Sequence, residues 1–230
     1  MATTTIYATT NTTGRGVIIA SGGDWDDVVT ATTGTVISST SYTFAVRAGA
    51  ISGRGGTQYF VSRTFLYFDV SSITTTITAA TVKVYASAIS NGKVGMYGST
   101  AFGNNGTALA ATDFDNVTGT LQSATTYNDL TWTPNALESF PLNATAITAL
   151  NSNGYGNYSL RNPDEVDEET PELDAYAGIN FQTSGTNRAQ IVITHADPGY
   201  GNNVNSVAAA SIAKVNTVAT ANISKINSAS

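Results

Sequence analysis

Arg63-Thr64-Phe65-Leu66-Tyr67-Phe68-Asp69-Val70 is the stretch on which the fold turns. In an extended chain successive side chains point to opposite faces, which puts Leu66, Phe68 and Val70 on one side and Phe65, Tyr67 and Asp69 on the other. The first set carries no polar group and is the expected core face. The same period continues outward from it. Val82, Val84 and Ala86 alternate with Thr81, Lys83 and Tyr85, and Ala189, Ile191 and Ile193 alternate with Gln190, Val192 and Thr194 in a closing strand. Leu66, Phe68, Val82, Val84, Ile191 and Ile193 are therefore the expected core. Further runs rich in Val, Ile, Thr, Tyr and Phe, at Val28 to Val36, Ser41 to Val46 and Thr57 to Val70, lie between Gly, Asn, Asp and Ser clusters and read as strands and turns.

One interior segment reads as helix: Asn143 is a suitable N-cap for Ala-Thr-Ala-Ile-Thr-Ala-Leu, with Ile147 and Leu150 three apart on one face. Many strands, one short helix and no βαβ alternation predict an all-β fold, a jelly-roll-like β-sandwich with a short repeat-containing C-terminal tail. The expected organisation is an N-terminal arm over 1–14, the sandwich over 15–197, and the tail over 198–230.

Composition excludes several functional classes. The chain has no cysteine and one histidine, which removes disulfides, thiolate nucleophiles and cysteine zinc sites. Its formal charge of −6 comes from 16 acids against 10 bases, and seven of the acids fall in Asp164 to Asp174. Outside that run acids and bases nearly balance, so no basic footprint for nucleic acid exists. No apolar run approaches the length of a membrane span, and Met1-Ala2-Thr3-Thr4-Thr5 does not resemble a secretory signal.

Four sets of residues are candidates for chemistry. Asp24, Asp26 and Asp27 flank Trp25 and could offer hard oxygen ligands to Ca2+, although three carboxylates supply only part of its shell; otherwise they form an acidic turn. Trp25, Tyr155 and Tyr158 could stack on a ligand, the two tyrosines sitting among Gly and Asn where exposure is expected. Trp132, following an inward Leu130, is expected to be buried. The acidic run reads as a solvated loop, with cation binding or docking to a basic surface as alternatives. Enzymatic readings are thin. His195 beside Asp197 has no nucleophile elbow to serve, and Asp113, Asp115, Asp129 and Glu138 are too ordinary to mark a glycosidase pair. The chain is expected to be non-enzymatic and to need no cofactor, with Ca2+ the one metal considered.

From Pro198 aromatics thin out after Tyr200 and an eleven-residue repeat takes over. Val204-Asn205-Ser206-Val207 returns as Val215-Asn216-Thr217-Val218 and as Ile226-Asn227-Ser228-Ala229. Val204, Ala208, Ile212, Val215, Val218, Ile223 and Ile226 offer apolar surface that the tail cannot bury alone, so this set is expected to drive oligomerisation. A right-handed helical bundle and an extended strand added to a neighbour's sheet are the two forms available.

Two resemblances add to this reading. Arg63 to Val70, then Ala79-Ala80-Thr81-Val82-Lys83-Val84-Tyr85, then Leu142-Asn143-Ala144-Thr145-Ala146-Ile147 with Tyr158-Ser159-Leu160-Arg161-Asn162, resemble the disaggregatase-related, carbohydrate-binding-module-like β-sandwich domains over residues 15 to 197. Gly199-Tyr200-Gly201-Asn202-Asn203-Val204-Asn205-Ser206-Val207 and its echoes resemble repeats at the ends of structural proteins of tailed bacteriophages. Together they imply a virion component, of the head fibre, capsid decoration or tail fibre type, located in the virion. Its implied partners are other capsid or tail proteins, further copies of itself and host-surface glycan, with no nucleic acid and no membrane insertion. A carbohydrate-binding module from a secreted polysaccharide-degrading enzyme is the alternative.

Overall fold

The computed structural model describes residues 1–8, 14–37, 41–182 and 184–197, together with 214–215 and 218–219. Thirteen strands form one continuous antiparallel sheet. In chain order they are β1 (Ala2–Tyr7), β2 (Arg15–Gly22), β3 (Thr35–Ile37), β4 (Ser41–Gly53), β5 (Gly56–Asp69), β6 (Ile77–Ser90), β7 (Lys93–Ser99), β8 (Val117–Leu121), β9 (Tyr127–Asn128), β10 (Leu137–Pro141), β11 (Tyr155–Arg161), β12 (Asp174–Asn180) and β13 (Gln190–His195). Three helices accompany them: α1 (Trp25–Val29), α2 (Ala144–Asn153) and α3 (Pro163–Val166).

Two long strands make the sheet fold back on itself. On β5, β4 pairs with the first half and β11 with the second along one edge, while β2 runs along the other. On β6, β13 and then β12 share one edge opposite β10. The two halves of the sheet meet in one apolar cluster, where Leu66, Phe68, Met96 and Leu160 pack with Val82, Val84, Ile191 and Ile193. The architecture is all-β and sandwich-like, and all six expected core residues lie in that cluster. Within the stretch expected as the N-terminal arm, β1 pairs with β13 from Ala2 opposite His195 to Tyr7 opposite Gln190.

The other face of β5 is buried as well. Val61, Phe65 and Tyr67 form a second cluster with Ile18, Trp25, Val28, Phe102 and Phe114. Its cover consists of α1 and the segment between β7 and β8, which includes a 3-10 turn at Ala111–Asp115. The run Val28 to Val36, read as a strand, begins as helix. Asp24 caps α1, accepting the backbone N–H groups of Asp26 and Asp27, and those two carboxylates sit at the positive end of the helix dipole. Trp25, Val28 and Val29 fall at i, i+3 and i+4, and all three are buried.

α2 forms where expected and links β10 to β11. Asn143 Oδ1 accepts the Ala146 N–H at 2.9 Å, and Gly154 ends the helix with a left-handed φ of 72° that only glycine adopts without strain. Beyond the sandwich, β14 (Lys214–Val215) pairs antiparallel with β15 (Val218–Ala219), so the chain is extended and not helical at these four residues. The other tail positions expected to oligomerise, Val204, Ala208, Ile212, Ile223 and Ile226, lie outside the described residues.

Candidate functional site

Tyr67 on β5 and Tyr155 on β11 occupy the same outer face, because Tyr155 is registered with Asp69 and Asn157 with Tyr67. Their rings lie 5.8 Å apart and within 23° of parallel. Both hydroxyls are tied to one residue of the β7–β8 segment. Tyr155 donates to Asn104 Oδ1 at 2.7 Å and Tyr67 to the Asn104 carbonyl at 3.1 Å. The pair is therefore a fixed aromatic step, with Tyr67 nearly covered and Tyr155 half-exposed. It floors a cleft of about 460 Å³ whose rim carries Asn104, Asn105, Asn153 and Ser71.

Among the described residues Asp69 is the only charged one lining this cleft. Hydrogen bonds from the Ser71 hydroxyl and backbone N–H hold its carboxyl below the ordinary carboxylate range. Burial, reinforced by the negative charge of Asp69, pushes the Tyr67 phenol upward, so that ring stays a neutral donor. Clefts of about 330 and 710 Å³ adjoin on either side, sharing Asn153 with the first. The result is a groove around the corner where α2 turns into β11. An aromatic face bordered by amides and hydroxyls can stack on an apolar ring face and satisfy surrounding hydroxyls.

The other sequence candidates are placed differently. Trp25 is 4% exposed, leans on Tyr59 and donates its indole N–H to the Glu168 carbonyl at 3.1 Å, so its face is closed to ligand. Tyr158, expected to be exposed among Gly and Asn, points into the main core beside Phe68 because even-numbered positions of β11 face inward. Asp24 uses its carboxylate as the α1 cap while Asp26 and Asp27 lie exposed on the first turn. Among the described residues no three His, Asp or Glu side chains converge as a metal shell. Trp132 is buried as expected, but Leu130 is 94% exposed since the segment is a turn rather than a strand.

Of the enzymatic candidates, His195, Asp113, Asp129 and Glu138 have structural partners, while Asp115 lies exposed. His195 meets the Thr4 hydroxyl with Nε2 at 3.0 Å and the Thr75 hydroxyl with Nδ1 at 2.9 Å. Asp113 accepts the Ala110 N–H and the Asn116 amide. Asp129 accepts the Asn91 N–H, and Glu138 accepts the Thr133 N–H.

The acidic run is not a solvated loop throughout. Glu165 on α3 is 1% exposed and lies between Arg63 and Arg161. Arg161 Nε donates to its Oε2 at 2.9 Å, and Arg63 Nε to its Oε1 at 2.9 Å. Arg63 also donates to the carbonyls of Phe114 and Val29, stitching the β7–β8 segment and α1 to the sheet. Asp164 pairs with Lys93 and Asp174 with Arg47, which leaves Asp167, Glu168, Glu169 and Glu172 exposed. Sequence reasoning missed Tyr67 and Asn104 as parts of the site. Tyr67 lay on the face of the deciding strand opposite the expected core, and Asn104 is brought in only by the fold of a long connection. The chain matches no protein-family model and no curated protein.

Proposed function

We propose that the protein is a non-enzymatic adhesion component of a tailed-phage virion, a capsid decoration or fibre whose sandwich, taken as jelly-roll in type, presents the Tyr155 groove to host-surface glycan. The observation that carries this reading is the fixed Tyr67–Tyr155 step in an amide-lined cleft. Such a surface suits a neutral sugar ring, which offers an apolar C–H face to the aromatic ring and hydroxyls to Asn104, Asn105 and Asn153. Structural engagement of His195, Asp113, Asp129 and Glu138 supports a binding role over a hydrolytic one. The virion setting rests on the resemblance of the tail repeats to phage structural proteins. Weak single contacts would gain strength by display in many copies.

The test is binding to a panel of neutral gluco-, galacto- and manno-oligosaccharides. At least one series should bind, and Tyr155→Ala should weaken it by about tenfold, the equivalent of about 1.4 kcal/mol. Binding unchanged by Tyr155→Ala, or no binding at all, counts against the groove. The same groove fits a module of a secreted polysaccharide-degrading enzyme. A catalytic domain encoded in the same reading frame would favour that role, and neighbouring capsid or tail genes the virion.

A further inference from the structure

We infer that Asn105–Gly106 is a self-modifying site, an asparagine that converts without enzyme or cofactor into an aspartyl residue and thereby charges the rim of the Tyr155 cleft. The regulatory half of this inference rests on the proposed function; the chemical half does not.

The chain contains three Asn-Gly pairs: Asn91–Gly92, Asn105–Gly106 and Asn153–Gly154. In such a pair the glycine nitrogen, unobstructed by a Cβ, can attack the side-chain carbonyl carbon of the asparagine. A C–N bond forms, the Nδ2 group leaves as ammonia, and a five-membered succinimide closes. Water then adds to one of the two ring carbonyls and breaks its bond to nitrogen, leaving a normal aspartyl or a β-linked isoaspartyl residue. The sum is an amide plus water giving a carboxylate and ammonium, so water is the only co-reactant. Three conditions govern the rate: a glycine N–H not held by an acceptor, access of water to it, and freedom of the asparagine to fold back.

The fold separates the three pairs by these conditions. Gly154 donates its N–H to the Leu150 carbonyl at 3.1 Å, and Asn153 is the last residue of α2, fixed in helical geometry. Gly92 is buried against the Tyr176 backbone, where even a Cβ would come within 2.4 Å of the Tyr176 carbonyl oxygen, and the Asn91 N–H is bound by Asp129. Asn105 is exposed, Gly106 is half-exposed in a turn with φ of 64°, and among the described residues the Gly106 N–H has no acceptor. Only the middle pair meets all three conditions.

Its location gives the reaction a consequence. Asn105 and Gly106 both line the cleft, where Asp69 is the sole charged group among the described residues. Conversion replaces a side chain that donates and accepts with one that only accepts, and adds a second negative charge beside the first. The β-linked product also lengthens the backbone next to Asn104, the residue that anchors both tyrosine hydroxyls. Ageing should therefore weaken binding of a neutral glycan.

The full chain, incubated folded in mildly alkaline buffer and sampled by peptide mass mapping, tests this. The peptide carrying position 105 should gain the amide-to-acid mass increase well before those carrying 91 and 153, and denaturation in urea should bring the three rates together. Equal rates in the folded protein, or conversion at 91 or 153 ahead of 105, overturns the site. In parallel, fresh and aged protein are titrated with the oligosaccharide panel beside Asn105→Gln, which cannot close the five-membered ring, and Asn105→Asp. Aged protein and Asn105→Asp should bind more weakly while aged Asn105→Gln keeps its starting affinity. Undiminished binding by aged protein overturns the regulatory role. A panel that fails to bind even the fresh protein sinks the glycan reading, with the mass result deciding the chemical site independently.

Discussion

At the scale of single residues, the Arg63–Glu165–Arg161 group is a costly arrangement to disturb. Two guanidinium groups and one carboxylate are almost fully withdrawn from water, so each depends on its neighbours for solvation. Burial draws the Arg63 guanidinium below its ordinary value and Glu165 opposes that pull. Glu165→Gln keeps the shape but leaves two buried cations facing each other, and should cost about 3 to 5 kcal/mol in urea denaturation; a loss near that of a surface pair would contradict the burial. Tyr158 gives a pH dependence of definite sign. Burial raises its phenol far above the ordinary value of about 10. Below that value folded and unfolded chains both keep the proton and its contribution is fully present; above it the unfolded chain releases the proton first, so stability falls as pH rises. Tyr158→Phe should flatten the decline measured above about pH 10, and an unchanged alkaline slope would place the hydroxyl in water. Neither feature was legible in sequence. Glu165 stands in a run of acids that reads as solvated, and its Arg63 partner is 102 residues away. Tyr158 sits among polar neighbours that conceal its inward parity.

At the scale of elements, β5 explains both the success and the limit of period-two reading. Alternation assigned Leu66, Phe68 and Val70 to the core correctly, since that face meets the opposite half of the sheet. It could not reveal that α1 and the β7–β8 segment cover the other face, because those covering residues are scattered over long connections. A strand buried on both sides should be equally sensitive on both. Phe65→Ala should cost about 3 to 5 kcal/mol, as Phe68→Ala should, and chemical denaturation showing less than about 1 kcal/mol lost for Phe65→Ala would remove the second core. Helices were legible where capping agreed with pattern. Asn143 and the spacing of Ile147 and Leu150 both announced α2, whereas in α1 the β-branched Val28 and Val29 masked the Asp24 cap. Asn143 caps α2 through Oδ1 and donates its Nδ2 to the Leu121 carbonyl at 2.7 Å, so Asn143→Ala should lower stability by about 1 to 2 kcal/mol, with helix content read by circular dichroism.

At the scale of the whole molecule, the sandwich and the tail obey different physics. Within residues 1–197 each long strand has partners and the apolar faces close on one another, so this body carries its own core. The tail is too poor in large apolar groups to make a second one, yet its repeat keeps Val, Ile and Ala in phase. At Lys214–Val215 and Val218–Ala219 the chain is extended, and Val215 is registered directly with Val218. In a helix the same two positions would stand three residues apart. A two-stranded hairpin is at best marginal in water by itself, and a helix of this composition is no better. The tail is therefore expected to order only against other chains. Deleting residues 198–230 should leave the denaturation midpoint of the body unchanged and lower the oligomeric state seen in sedimentation. Val215→Asp with Val218→Asp should do the same in the full chain by placing two carboxylates in the apolar pair. If the truncated protein sediments as the same oligomer as the full chain, assembly belongs to the sandwich; if its midpoint falls, the tail is part of the body's core rather than a device for joining copies.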